Sequence, residues 1–380
     1  MWVRAVERLA GNRYIFESIG PEQLVRRVVS SCHDRRMRRR WLTILLLTAC
    51  SSSFEVDASD GGLSDTAPPT SDAAPSPPRD AGSAPTRCEV TAGPTIGEGC
   101  FCRGPIVATV DHVYRQSIGI EVFDRDRLDA PSFVVDERPS AQGGLVRVGD
   151  HLVSAVDFED PALRVYSLAD PARPVFVGGF GDGAGSPIRL AADGAFVVVA
   201  HQQDERVSVV LYDLTRPTRP SRVFERALDG TALAVAVGPL GVLVIEADVT
   251  LERGRLLWLT LDGAERAFLV LEDLPFDPGL VVRDDLVYLS GGAARLTRVR
   301  ARAGTLRVEA AVGEPSGVGT AIAFDRGLVV LGSLDVYEES SLRALSTTET
   351  FGGYPSLAAT NGGLFASSGG GVTELVLRCE

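Results

Sequence analysis

At 380 residues, 45% of them hydrophobic, the chain is long enough for two domains, yet a single large β-rich domain can use most of it. Its formal charge of -12 is unevenly spread, because residues 1–49 hold ten arginines against four acids and leave a body that nets -18. So acidic a body argues against nucleic acid and anionic lipid surfaces as partners.

Met37 opens MRRRWLTILLLTAC, a signal of ordinary form, so residues 1–36 read as a misassigned upstream extension and are set outside the fold. In the signal, 37–49, Arg38, Arg39 and Arg40 precede the eight-residue apolar stretch Trp41–Thr48. A bilayer-spanning helix needs about 20 such residues, so this is an export signal rather than an anchor. Its end, Leu47-Thr48-Ala49-Cys50, resembles the bacterial lipobox. The resemblance implies cleavage before Cys50 and lipid on its thiol; Ser51, in place of an aspartate, implies the outer membrane, with the body periplasmic or on the cell surface.

Residues 50–87 are the expected lipidated cysteine and a disordered linker. From Ser51 to Arg87 there is one aromatic, Phe54, among six prolines and six acids. Such a segment buries too little apolar surface to offset the entropy of ordering it. As a flexible tether it spans roughly 30 to 35 Å.

The folded body, 88–380, is marked by a repeating unit. IEVFDRDRLDAPSFVVD at Ile120, LRVYSLADPARPVFVGG at Leu163 and VVLYDLTRPTRPSRVFER at Val209 each carry an aromatic (Phe123, Tyr166, Tyr212) followed eight residues later by proline (Pro131, Pro174, Pro220). Each unit reads as strand, fixed turn, strand, and the aromatics lie 43 and 46 residues apart, the length of a four-stranded propeller blade. Trp258, 46 residues after Tyr212, continues the series, although Arg266 stands where the proline is expected. These four aromatics are expected in the blade core. A second feature, a tight turn before a short apolar strand, recurs seven times, at Asp111, Asp150, Gly194, Gly241, Asp285, Gly327 and Gly363. The expectation is therefore an all-β, seven-bladed β-propeller behind a lipoprotein signal and a disordered tether.

The runs IEVFD, LRVYSLADPARPVFVGGF and VVLYDLTRPTRPSRVF resemble the LVIVD repeat of bacterial and archaeal surface β-propellers, over Ile120–Arg226. The resemblance implies an extracytoplasmic propeller and supplies no catalytic residues.

The chain has neither a G-x-S-x-G elbow nor H-E-x-x-H, and FGDGAGS at Phe180 fits no phosphate-binding loop. No metal site and no cofactor are expected. His112 and His151 occupy equivalent turn positions, while His201, in HQQDER between two strands, is read with Asp157, Glu159 and Asp160 as an acidic, solvated rim. The innermost strands, Leu145–Val148, Thr231–Val237 and Thr320–Phe324, are largely apolar, with Arg147, Arg189 and Arg283 as exceptions able to bind an anion.

Blade seven runs out of chain after Val372–Leu377, so its outer strand is expected from residues between Cys88 and Gly104. Cys88, Cys100, Cys102 and Cys379 remain for disulfides in an oxidising compartment, with three possible connectivities. Cys100 and Cys102 would lie about 6.5 to 7 Å apart on a strand, too far to bond to each other. One is expected to pair with Cys88 and the other with Cys379; a Cys88–Cys379 bond would close the ring equally well, and a C-x-C metal site is the remaining alternative.

Functionally, the chain reads as a monomeric, membrane-tethered, extracytoplasmic module, non-catalytic, that binds an envelope protein or glycan. It meets the membrane through lipid alone and binds no nucleic acid. The rival is a propeller enzyme, a lactonase-like hydrolase or quinoprotein-like oxidoreductase, with polar groups converging on the central channel.

Overall fold

The computed structural model describes residues 3–9, 13–19 and 85–380, apart from 93–104, 118, 136–143, 157–160, 182–184, 205, 249–252, 276, 316–320, 348–355, 361–362 and 369–370. The chain divides into two units, Met1–Ala49 and Cys50–Glu380. In the first, β1 (Val3–Leu9) and β2 (Arg13–Ile19) form an antiparallel hairpin with Val3 opposite Ile19.

The second unit holds seven four-stranded antiparallel sheets, the expected blades. Its first strand, β3 (Cys88–Ala92), is set apart from the sheets that follow it in sequence. Blade 1 is β4 (Ile106–Ala108), β5 (His112–Gln116), β6 (Ile120–Asp124) and β7 (Phe133–Val135). Blade 2 is β8 (Leu145–Val148), β9 (His151–Ala155), β10 (Leu163–Ser167) and β11 (Val175–Phe180). Blade 3 is β12 (Ser186–Asp193), β13 (Phe196–Gln203), β14 (Arg206–Asp213) and β15 (Ser221–Leu228). Blade 4 is β16 (Thr231–Gly238), β17 (Gly241–Ala247), β18 (Arg253–Leu259) and β19 (Glu265–Glu272). Blade 5 is β20 (Gly279–Arg283), β21 (Leu286–Ser290), β22 (Leu296–Arg302) and β23 (Thr305–Val312). Blade 6 is β24 (Ile322–Asp325), β25 (Leu328–Leu331), β26 (Val336–Glu338) and β27 (Ala344–Ser346). Blade 7 is β28 (Ser356–Thr360), β29 (Gly363–Ser368) and β30 (Gly371–Cys379), completed by β3 on its outer edge.

The first strand of each blade neighbours the first strand of the next, from β4 through β28 and back to β4, so the ring is closed around an axis. The hydrophobic core is correspondingly divided into seven clusters, each formed between two adjacent blades. Burial on both faces explains why inner strands carry no alternation: β17 is buried at all seven positions, whereas the outer β19 alternates exposed and half-buried side chains.

The inner hairpins fall where the turn residues place them. Gly194 (φ 56°) and Asp284 (φ 55°) adopt the left-handed conformation that two-residue hairpins require and that Gly and Asp tolerate. Gly241 and Gly363 differ from expectation: each is the first strand residue after the turn, paired with Gly238 and Thr360. Two of the turns between third and fourth strands are braced by their own aspartates. Asp170 Oδ1 accepts a hydrogen bond from Ala172 N at 3.1 Å, and Asp213 Oδ1 one from Thr215 N at 2.7 Å. Hydrogen bonds from Thr215 hold the Asp213 carboxyl below the usual carboxylate range.

Candidate functional site

The aromatic series lies on the third strands, all buried: Phe123 on β6, Tyr166 on β10, Tyr212 on β14 and Trp258 on β18. Phe123, Tyr166 and Tyr212 face the preceding blade, since each belongs to the cluster shared with it. Trp258 does not share their position. It packs toward blade 5, and Leu259 occupies the place equivalent to Tyr212. Leu259 lies 47 residues after Tyr212, so a count of 46 lands one residue short, and one residue reverses the face of a strand. Tyr337 on β26, which the series omitted, does hold the shared position and packs against blade 5. Arg266, found where proline was expected, lies over the Trp258 ring at 4.7 Å.

Among the described residues, Cys88 is bonded to Cys379, with Cα atoms 4.1 Å apart. This corrects the preferred pairing of each with Cys100 or Cys102. β3 lies antiparallel to β30 with Cys88 directly opposite Cys379, so the two thiols meet as soon as the outer strand of blade 7 is in place. Cys50, Cys100 and Cys102 lie outside the described residues, as do Asp157, Glu159 and Asp160.

The histidines do not converge. His112 and His151 open the second strands of adjacent blades, and His112 Nε2 lies 3.6 Å from Asp124 Oδ1. His201 is not in a rim loop: β13 runs on to Gln203 and buries it. Among the described residues no group of three or more His, Cys, Asp or Glu is placed to hold a metal ion.

Nor do the three inner-strand arginines form an anion site; each is engaged within the fold. Arg189 Nε donates to the Leu233 carbonyl, its Nη1 to Ile188 O at 2.7 Å, and its Nη2 pairs with Asp277 at 3.3 Å, which ties blade 3 to blade 4 and to the connector that leads into blade 5. Arg147 Nε donates to Gly149 O at 2.8 Å. Arg283 pairs with Glu339 at 2.9 Å and stacks over Phe324.

Among the described residues, two concavities stand out. The inner strands of blades 3 to 6 enclose a cavity of about 50 Å³, walled by Ala191, Val235, Ala236, Leu280 and Val281, with Asp193 at its edge. Burial raises the Asp193 pKa, against an opposing hydrogen bond from Gly194 N. The second is an open groove of about 930 Å³ between blades 5 and 6, reached also by Pro85 and Arg378. It exists because the outer strands of blade 6, β26 and β27, are three residues each, whereas β22 and β23 of blade 5 have seven and eight. The uncovered face of blade 5 forms the wall.

That wall carries Arg298, Arg300 and Arg302, alternate residues on β22 whose intervening neighbours Val299 and Ala301 are buried against blade 4. Arg298 Nη1 donates to Glu339 O (2.7 Å) and Ser340 O (3.0 Å) of blade 6. Arg300 Nη1 donates to Asp285 Oδ2 at 2.6 Å. The Glu309 carboxylate bridges the two, 3.4 Å from Arg298 Nε and bonded to Arg300 through Nε and Nη2, and these arginines, Arg300 above all, hold its pKa down. Tyr288, fully buried, lines the floor. A further concavity of about 580 Å³ continues along β22 and β23 past Arg302, Thr305 and Arg307. The sequence did carry a signal for this wall, the alternation R-V-R-A-R at 298–302.

These features define a closed seven-bladed β-propeller whose last blade is completed by the strand that begins the domain. No protein-family model matches the chain, and no curated protein matches it. Among solved structures it is similar to Sqt1 of Saccharomyces cerevisiae, with a TM-score of 0.51 at 11% identity over 74% of this chain and 83% of Sqt1. It is also similar to the computationally designed Ika8 protein, with a TM-score of 0.49 at 12% identity over 74% of this chain and 98% of that one. At this identity the likeness to Sqt1 speaks for the fold alone.

Proposed function

We propose that the chain is an outer-membrane lipoprotein whose propeller serves as a non-catalytic binding module, tethered through Cys50 and the segment 51–87 and exposed to an envelope protein or glycan. The observation that carries the binding reading is the contrast between the two concavities. The channel side, where a propeller enzyme would gather polar groups, is small and walled by Ala, Val and Leu, while the roomy concavity is an open, ion-pair-lined groove at the rim. The exported address is supported by the lipobox resemblance at Leu47–Cys50, the LVIVD-like repeats at Ile120–Arg226, and a disulfide suited to an oxidising compartment. Cell fractionation tests it: the chain is expected with outer membranes and in the detergent phase, and Cys50→Ser is expected to release it. Recovery of the Ser variant in the same membrane fraction would overturn the reading.

A further inference from the structure

We propose that the groove between blades 5 and 6 binds an extended acidic peptide segment of a partner protein. The proposal deepens the binding-module reading and rests on it for the existence of a partner.

The charge of the groove opposes that of the body. Its two concavities are lined by six arginines against three glutamates, in a chain that has 50 acids to 38 basic residues. Half of that positive charge is uncommitted. Arg302 and Arg307 are exposed and, among the described residues, make no ion pair, and the same holds for Arg378 across the groove.

The spacing selects the ligand. Arg298, Arg300 and Arg302 project from one face of a strand at intervals of about 6.6 Å, the interval at which an extended peptide presents every second side chain. Carboxylates at alternate residues of such a peptide therefore meet successive guanidinium groups, and the planar fork of arginine suits carboxylate pairing. Glu309 shows the wall accepting a carboxylate: its two oxygens already sit between Arg298 and Arg300. A ligand extends that row toward Arg302 and Arg307. Held on β22 by the buried Val299 and Ala301, the row keeps its spacing without a ligand, which lowers the ordering cost of binding.

The test uses the full mature chain and a labelled peptide alternating Glu and Ser, followed by fluorescence anisotropy. Expected are saturable binding that weakens as salt is raised, a loss of about tenfold or more in Arg302→Glu/Arg307→Glu, and no change in Arg222→Glu on blade 3. Both groove substitutions are at exposed positions, and an unchanged melting temperature checks the fold. Equal binding by wild type and the double variant would overturn the assignment, as would failure of the wild type to bind the peptide. Preferential binding of polygalacturonate over the peptide would overturn it in favour of an acidic glycan. Each of these outcomes leaves Cys50-dependent fractionation unaffected, so failure of the groove is distinguishable from failure of the tethered-module reading.

Discussion

Cys88 and Cys379 face each other across the pair β3–β30, bonded although 291 residues separate them in sequence. The covalent link is backed by hydrogen bonds just beyond it, Thr86 N to Glu380 O at 2.7 Å and Glu380 N to Arg87 O at 2.9 Å. Non-reducing peptide mapping is expected to return a peptide linking these two residues. Replacing both with alanine should lower stability by about 2 to 5 kcal/mol, mainly by freeing the unfolded chain, while the circular dichroism of the fold is unchanged. A free thiol at Cys379 would contradict the closure described.

Tyr212 is packed between blades 2 and 3, where its ring meets Phe180 edge-on with centroids 4.8 Å apart. Tyr212→Ala should cost about 3 to 5 kcal/mol by leaving a cavity in that seam, measured by denaturant unfolding. A loss under about 1 kcal/mol would mean that the seam is not packed in this way.

Trp258 is buried, donates from Nε1 to Leu240 O at 2.7 Å and is covered by Arg266. Its native emission should be blue-shifted and shielded from iodide. Arg266→Ala should uncover the ring and increase quenching. Red, freely quenched emission in the wild type would contradict the register of blade 4.

Arg189 and Asp277 form a largely buried pair between blade 3 and the connector that leads into blade 5. Arg189→Ala removes a charge partner of Asp277 and the donor to the Leu233 carbonyl, and should cost about 3 to 5 kcal/mol. In a double-mutant cycle, adding Asp277→Ala should recover part of that loss. Strict additivity would show the pair to be unimportant.

Burial pushes the hydroxyls of Tyr114 and Tyr337 up from the ordinary 10.0 to about 12. Tyr114 also donates to Pro171 O at 3.0 Å in the turn of the next blade. A raised acid pKa favours folding while the group is protonated, so this contribution is complete below pH 10 and is lost as pH rises toward 12. Stability should fall across that window, and Tyr114→Phe should flatten the fall. A flat profile in the wild type would contradict the burial of both rings.

The blades were legible because their signals are local: an aspartate that closes its own turn, a proline before the fourth strand, Gly or Asp in the inner hairpin. Residue counting drifts where the repeat length varies, so Trp258 is buried between blades as expected but faces blade 5 rather than blade 3, and Tyr337, in a unit without the proline, falls outside the series. The disulfide was open for another reason. Its partners are set by the strand register at the end of the ring, a long-range pairing that no local pattern records. The groove depends on the short β26 and β27 beside a long blade 5, and the meaning of R-V-R-A-R appears only once its neighbour is known to leave it uncovered.

The tethered-module account is tested most directly by the intact mass of the chain purified from membranes of its own host. The account predicts residues 50–380 with lipid on Cys50 and one disulfide mass loss attributable to Cys88 and Cys379. A chain that retains residues 1–49 or 37–49, or that begins at an unmodified Cys50, would contradict it.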